Sequence, residues 1–139
     1  MANIELFDEF VATILSYLYI KFPLESALDA RELSGDKETD EYGTVLDNNK
    51  VRSMRFTICL ATMEWLIETG YIRIKDKGQY GYGRAVLTSK GLEVLKSTPE
   101  SISKNESIGD KLVKLMNEGS LQMAKEVAKA AVSFGIKIF

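Results

Sequence analysis

The chain has 139 residues, 45% of them hydrophobic and 27% charged, with a formal net charge of −2, a composition typical of one soluble globular domain. One cysteine excludes an internal disulfide bond, and the lack of histidine excludes histidine-bearing zinc sites and catalytic pairs based on histidine, so we expect a non-enzymatic protein without metal or cofactor. No segment has the roughly 18–20 apolar residues of a membrane span and the N-terminus is acidic, which predicts a cytoplasmic protein without stable membrane insertion.

The N-terminal segment predicts one clear helix followed by an ambiguous stretch. Apolar residues at steps of three or four indicate a helix over residues 4–22, with Asn3 as its N-cap and Pro23 as its stop. Residues 24–33 show neither clean alternation nor enough length to separate a short strand from a short helix. We favour a helix that begins at about Ala27.

Residues 34–49, SGDKETDEYGTVLDNN, predict an acidic loop. The segment is rich in Gly, Asp, Asn and Thr, and only Val45 and Leu46 are candidates for an anchor to the core. Because a connection of about 16 residues is longer than most in compact domains, we expect this loop to be functional or mobile.

The strongest element is a helix over residues 51–69 with apolar stripes on two roughly opposite sides. One stripe contains Val51, Met54, Ile58, Ala61 and Trp65, and the other contains Phe56, Leu60, Met63 and Ile67. A helix of this kind packs against partners on both sides, and a second subunit is one candidate for such a partner. The expected N-cap is Asp47, Asn48 or Asn49, and Gly70 is expected to end the helix in the left-handed conformation.

Two alternating segments, residues 71–75 and 84–88, predict a β-hairpin with a glycine-rich tip. Thr88 or Ser89 is then expected to cap a short helix that ends before Pro99.

The last part of the chain predicts a polar linker over residues 100–107 and an amphipathic helical segment over residues 108–139. Gly119 interrupts the helical pattern, and the helix is expected to end near Gly135. Three small residues permit close approach of a second copy, and we therefore expect a homodimer through this segment: Ala124, Ala128 and Ala131. A helix lying on a membrane surface is the alternative, but carboxylates in the segment offset most of its lysines.

A resemblance to a known family rests on two local motifs within residues 65–95. The first is the helix-to-strand junction formed by Leu66, Ile67, Gly70, Tyr71 and Ile72; the second, where the hairpin closes and the next helix opens, is formed by Leu87, Thr88 and Gly91. In both motifs the chain resembles the winged helix-turn-helix family. The resemblance implies an α+β, mostly helical fold, with a winged-helix domain over residues 1–99, a two-stranded wing hairpin and an extra C-terminal amphipathic helix.

The resemblance also implies a DNA-binding surface. In DNA-binding relatives the front of the helix that corresponds to residues 51–69 enters a major groove, and the hairpin lies along a neighbouring DNA backbone. Contacts with base edges or phosphates are then expected from Lys50, Arg52, Ser53 and Arg55. On the hairpin, phosphate contacts are expected from Arg73, Lys75, Lys77 and Arg84, and stacking or hydrogen bonding from Tyr80 and Tyr82. Arg52 and Arg55, three residues apart on a helix, are expected to cooperate.

The charge distribution supports two hypotheses of different class. Residues 1–49 carry three basic and eleven acidic side chains, residues 50–105 carry ten and five, and residues 106–139 carry five and four. The basic middle third favours the leading hypothesis, a homodimeric winged-helix protein that binds duplex DNA and regulates transcription. The acidic loop and a pI near 5.3 oppose phosphate and favour the alternative, a winged-helix module that binds protein partners through this loop and the amphipathic C-terminal helix.

Overall fold

The computed structural model describes residues 2–98 and 106–138, which form an α+β fold with a small antiparallel sheet. In chain order the elements are α1 (Asn3–Lys21), β1 (Ser26–Asp29), α2 (Ala30–Ser34), α3 (Met54–Glu68), β2 (Ile72–Arg73), β3 (Asp76–Lys77), β4 (Gly81–Leu87), α4 (Ser89–Lys96), α5 (Ile108–Asn117) and α6 (Leu121–Ile138). The predicted α+β, mostly helical class is confirmed. None of the helices in the described ranges combines the length and the apolar character needed to cross a bilayer.

Helix α1 lies at the centre of the fold. It contacts α3, α5, α6 and the sheet, and its middle section is therefore buried on nearly every side. The predicted helix and its stop before Pro23 are confirmed, but the predicted cap is wrong. The N-cap is Ala2, which makes no side-chain hydrogen bond, and Asn3 is already the first helical residue.

The ambiguous stretch after α1 contains both a strand and a helix. The prediction of a helix from Ala27 is wrong, because residues 26–29 form β1 and α2 begins only at Ala30. Strand β1 pairs antiparallel with β4, with Ser26 opposite Ala85 and Asp29 opposite Gly81. A four-residue segment obtains its extended conformation from such a neighbour rather than from its own composition.

The predicted hairpin is confirmed, but residues 76–77 and 81–83, expected in its tip, are paired strand residues, and the hairpin is part of a larger sheet. Ile72 pairs with Leu87 and Arg73 with Val86, while the two residues of β3 pair with β4 nearer the tip. Strand β4 is therefore central, with β1 on one side and β2 and β3 on the other.

Helix α3 starts later than predicted and has a different cap. Ser53 occupies the N-cap, where its hydroxyl oxygen accepts a hydrogen bond from the backbone N–H of Phe56 at 2.9 Å. The predicted caps, Asp47, Asn48 and Asn49, all precede this position in the loop. The predicted end is confirmed, since Gly70 follows the helix with a φ of 83°.

The short helix after the hairpin is confirmed, and Thr88 is its N-cap. The hydroxyl oxygen of Thr88 accepts a hydrogen bond from the backbone N–H of Gly91. The helix ends at Lys96, and Pro99 lies outside the described residues. Most of the predicted linker also lies outside them; its last residue, Ser107, caps α5.

Helices α5 and α6 pack on α1 and α4 and complete one hydrophobic core. The predicted interruption at Gly119 is confirmed, with a φ of 73° between the two helices. The predicted end near Gly135 is wrong, because α6 continues through it to Ile138. Gly135 is buried, and a Cβ there would collide with the ring of Tyr71. The three alanines expected at a dimer interface are fully buried in this core: Ala124, Ala128 and Ala131.

Candidate nucleic-acid interface

The acidic loop folds against α3 and the hairpin instead of extending into solvent. Val45 is buried, as predicted, and Thr39 forms an isolated bridge with it. Tyr80 on the hairpin donates a hydrogen bond from its hydroxyl to the carbonyl oxygen of Gly43 at 3.0 Å. The loop is therefore attached to both structures that were expected to contact DNA.

Several carboxylates of the acidic loop accept hydrogen bonds from residues of the loop itself and from the start of α3. Asp40 accepts hydrogen bonds from the backbone N–H groups of Tyr42 and Thr44, and Asp47 accepts one from Asn49. Asp36 accepts a hydrogen bond from the hydroxyl of Ser53, the α3 cap. These carboxylates organise the loop as local capping groups.

Ser53 and Arg55 hold α3 in place rather than facing solvent with Arg52. Ser53 is fully buried. The Arg55 guanidinium donates to both carboxylate oxygens of Glu9, with Nη1 to Oε1 at 3.1 Å, and from Nε to the carbonyl oxygen of Ser34 at 3.0 Å. The hydrogen bonds that Arg55 donates to Glu9 raise the pKa of Arg55, so this side chain stays charged. Its donors are directed at α1 and α2, and the expected cooperation with Arg52 has no geometric basis.

The remaining cations before α3 differ in their pairing. Lys50 is exposed and pairs with Glu38 of the acidic loop. Arg52 is exposed, and its side chain makes no hydrogen bond or ion pair with any other residue that the structure describes. Of the two arginines among the four residues expected at the front of the helix, Arg52 therefore has the guanidinium that is more accessible to a ligand.

The hairpin brings four of the predicted cations together. Arg73, Lys75, Lys77 and Arg84 are all exposed. Glu25, just before β1, accepts from Lys75 Nζ at 2.9 Å and from Arg84 Nε at 3.0 Å. These hydrogen bonds lower the pKa of Glu25, so the carboxylate is ionised at neutral pH. Arg73 and Lys77 form no ion pair within the described ranges.

The two tyrosines at the tip are already engaged in packing. Tyr82 is buried, and this burial raises its pKa. The ring of Tyr80 packs between Arg31, whose Cζ lies 4.1 Å from the ring centroid, and Phe56, whose ring centroid lies 6.0 Å away. Both rings are therefore held by contacts within the fold, and Tyr80 joins the loop, the hairpin and α3.

The exposed side of α3 carries no positive charge. Arg55 is the one basic residue between Met54 and Glu68, and it points inward to Glu9. The most exposed side chains of the helix include Met54, Ala61, Glu64 and Glu68. The body of α3 therefore opposes insertion into a groove lined by phosphates.

The concave surfaces beside α3 in the described chain include two that sequence reasoning did not find as sites. One, of about 330 Å³, lies between the acidic loop, α3 and the hairpin tip, and includes Arg52 on its wall. The other, of about 440 Å³, is an apolar groove between α1 and α3, lined among others by Ile4, Phe7, Ile58 and Trp65. The stripe of apolar residues at positions 51–65 could have indicated the apolar groove, because this stripe faces α1 only in part.

The described residues contain no cluster of three or more potential ligands that could hold a metal ion. Comparisons of the chain with protein-family models, with curated proteins and with solved structures found no match.

Proposed function

We propose that this chain is a winged-helix protein that binds duplex DNA through phosphate contacts made by its hairpin. The order helix, strand, helix, helix and hairpin supports the winged-helix assignment, as does the pairing of β1 with the last strand of the hairpin. A fold of this type hosts many functions, so the assignment of DNA binding rests on the charges of the hairpin and not on the topology.

The observation that carries the proposal is the row of cations at Arg73, Lys75 and Lys77. They lie along β2, β3 and the residues between them, which form an edge of the sheet in the described chain. A DNA strand carries one phosphate per roughly 3.4 Å of helix axis, so a row of cations along one edge can contact several phosphates of the same strand.

The carboxylate of Glu25 weakens this row but does not remove its charge. Glu25 neutralises one of the two cations that it contacts, and the side chains of Lys75 and Arg84 are each about half exposed. Exposed ion pairs contribute only about 0–1 kcal/mol, so a phosphate can replace the carboxylate at little cost. The contacts provide position and salt dependence, and they do not select a base sequence.

A salt titration of a labelled 20-base-pair duplex tests this proposal. We expect binding at 50 mM salt that weakens strongly at 200 mM. The double variant Arg73→Gln, Lys77→Gln should lower the slope of log K against log salt by about 1.8, because each phosphate contact contributes about 0.9. Lys114→Gln, Lys137→Gln is the matched control, since both lysines are exposed on α5 and α6 outside the hairpin. No binding of the unchanged protein at 50 mM salt would refute the proposal.

The variant Glu25→Gln tests the same surface in the opposite direction. Removing the carboxylate releases Lys75 and Arg84, so DNA affinity at low salt should rise several-fold. Glu93→Gln removes an exposed carboxylate from α4 and controls for the change in net charge. Equal affinities of the two variants would mean that DNA does not contact the hairpin.

A second candidate function is the binding of a basic amphipathic helix from a protein partner in the α1–α3 groove. The expected surfaces for a partner, the acidic loop and the C-terminal helix, pack largely on the chain itself. The groove is open, and Ile4 at its edge is 63% exposed. Trp65 packs edge-on against Phe7 with ring centroids 5.1 Å apart, and its indole N–H donates no hydrogen bond within the described part of the chain. A partly exposed tryptophan with an unused donor is typical of interaction sites.

The charge next to the groove selects the occupant. Glu64 and Glu68 are exposed on α3 beside Trp65 and Ala61, so an occupant with basic flanks is favoured over one with acidic flanks. Since Trp65 is the single tryptophan, its emission reports binding directly. A leucine–lysine model helix should shift this emission to the blue, whereas the leucine–glutamate helix should not. Ala61→Arg should abolish the shift, and an unchanged response of this variant would exclude the groove.

A further inference from the structure

The pocket between the acidic loop, the start of α3 and the hairpin tip has an aromatic floor. Phe56 and Tyr80 meet edge to face there, and the Cζ of Arg31, which is not one of the lining residues, lies 4.1 Å from the centroid of the Tyr80 ring. Tyr80 is also held by its hydrogen bond to Gly43. The floor is therefore fixed before any ligand arrives, which reduces the entropy lost on binding.

The hydrogen-bonding groups of the pocket differ in whether they are already used. The Thr57 hydroxyl donates to the Ser53 carbonyl oxygen at 2.9 Å, and the Thr44 N–H donates to Asp40. The side chains of Arg52 and Gln79 make no hydrogen bond to any other described residue. The unused capacity of the pocket is dominated by the five donors of a guanidinium, which has no acceptor.

The charge of the residues that line the pocket also favours an anionic ligand. Arg52 is the one charged residue among the nine that line the pocket, and none of the nine is acidic. Of the two loop carboxylates just before the lining residue Tyr42, Asp40 accepts two backbone hydrogen bonds and Glu41 is exposed. A ligand here meets one cation and two aromatic rings that are inclined at 71° to each other.

We propose that this pocket binds a small planar aromatic anion, with its ring packed against the edge-to-face pair of Phe56 and Tyr80 and its anionic group on Arg52. A guanidinium binds a carboxylate through two parallel hydrogen bonds, and these are about twice as strong as bonds between neutral groups. At about 330 Å³ the pocket is near the lower limit for small-molecule sites, so it accepts one or two fused rings but no large cofactor. The inference does not depend on DNA binding.

Amide chemical shifts of the full ¹⁵N-labelled protein, titrated with 1-naphthoate, test the proposal in the absence of DNA. We expect saturable shifts centred on Gly43, Thr44, Thr57 and Gln79. Neutral 1-naphthamide has the same ring without the negative charge, and inorganic phosphate has negative charge without a ring. Both should bind at least tenfold more weakly than 1-naphthoate.

Two variants locate the anionic contact. Arg52→Gln should lower the affinity for 1-naphthoate about tenfold or more, and it should fold normally because the side chain is exposed and unbonded. Lys96→Gln removes an exposed cation of α4 outside the pocket and should leave the affinity unchanged. Equal binding of the amide, equal binding of phosphate, shifts elsewhere in the fold, no saturable shift, or an unaffected Arg52→Gln variant would each overturn the proposal.

Discussion

Replacing Arg55 with leucine is expected to lower the free energy of unfolding by about 3 kcal/mol, the lower end of the range for breaking a buried ion pair. The side chain of Glu9 is 8% exposed, so the substitution leaves a carboxylate inside the fold without its guanidinium. The carbonyl oxygen of Ser34 loses a donor as well. Because the Arg55 side chain is 38% exposed, water replaces part of the lost interaction, and the upper end of the range is not reached. Urea unfolding measures the change.

Two comparisons separate the ion pair from the loss of an arginine in general. Arg52→Leu, three residues earlier, removes an exposed side chain without a partner and should change stability by less than about 0.5 kcal/mol. Adding Glu9→Gln to Arg55→Leu should recover part of the loss, since a neutral amide is less costly to bury than a carboxylate. If Arg55→Leu is as stable as Arg52→Leu, the pairing of α3 with α1 described above is incorrect.

Replacing Gly81 with alanine should destabilise the protein by at least about 3 kcal/mol, because a Cβ at this position meets backbone atoms that cannot rotate away. The added carbon would collide with the carbonyl oxygen of Leu28 and lie 3.2 Å from the Cα of Asp29, both on β1. Strand β1 would have to move away from β4. Hydrogen exchange should then accelerate at Ala30, whose N–H donates to the carbonyl oxygen of Tyr80 at 2.8 Å.

The matched control is Gly78→Ala in the same hairpin. There the nearest heavy atom to an added Cβ is the carbonyl oxygen of Gly81 at 3.7 Å, an ordinary contact, and φ lies outside the left-handed region. We expect a change of less than about 0.5 kcal/mol. Equal stabilities of the two variants would contradict the pairing of β1 with β4, which is the pairing that extends the hairpin into a wider sheet.

Periodicity and turn chemistry by themselves determined most of the regular structure of this protein. The extent of α1, the presence of the hairpin, the Thr88 cap, the left-handed end at Gly70, the interruption at Gly119 and the burial of Val45 all follow from residues close together in the chain. Such features depend on local dihedral preferences and on the spacing of apolar side chains, which are readable without a fold.

The functional surface was decided by tertiary structure, because the partner of a charged residue is set by which elements pack together. Arg55 meets Glu9, 46 residues away, and Arg84 meets Glu25, 59 residues away. These contacts direct one predicted DNA-binding arginine into the interior and reduce the charge of the hairpin. The same holds for β1, which is extended because β4 lies beside it, and for the alanines of α6, which are small because α6 packs closely on its own chain. Local spacing marks a side chain as cationic or small, but only the fold determines what it contacts.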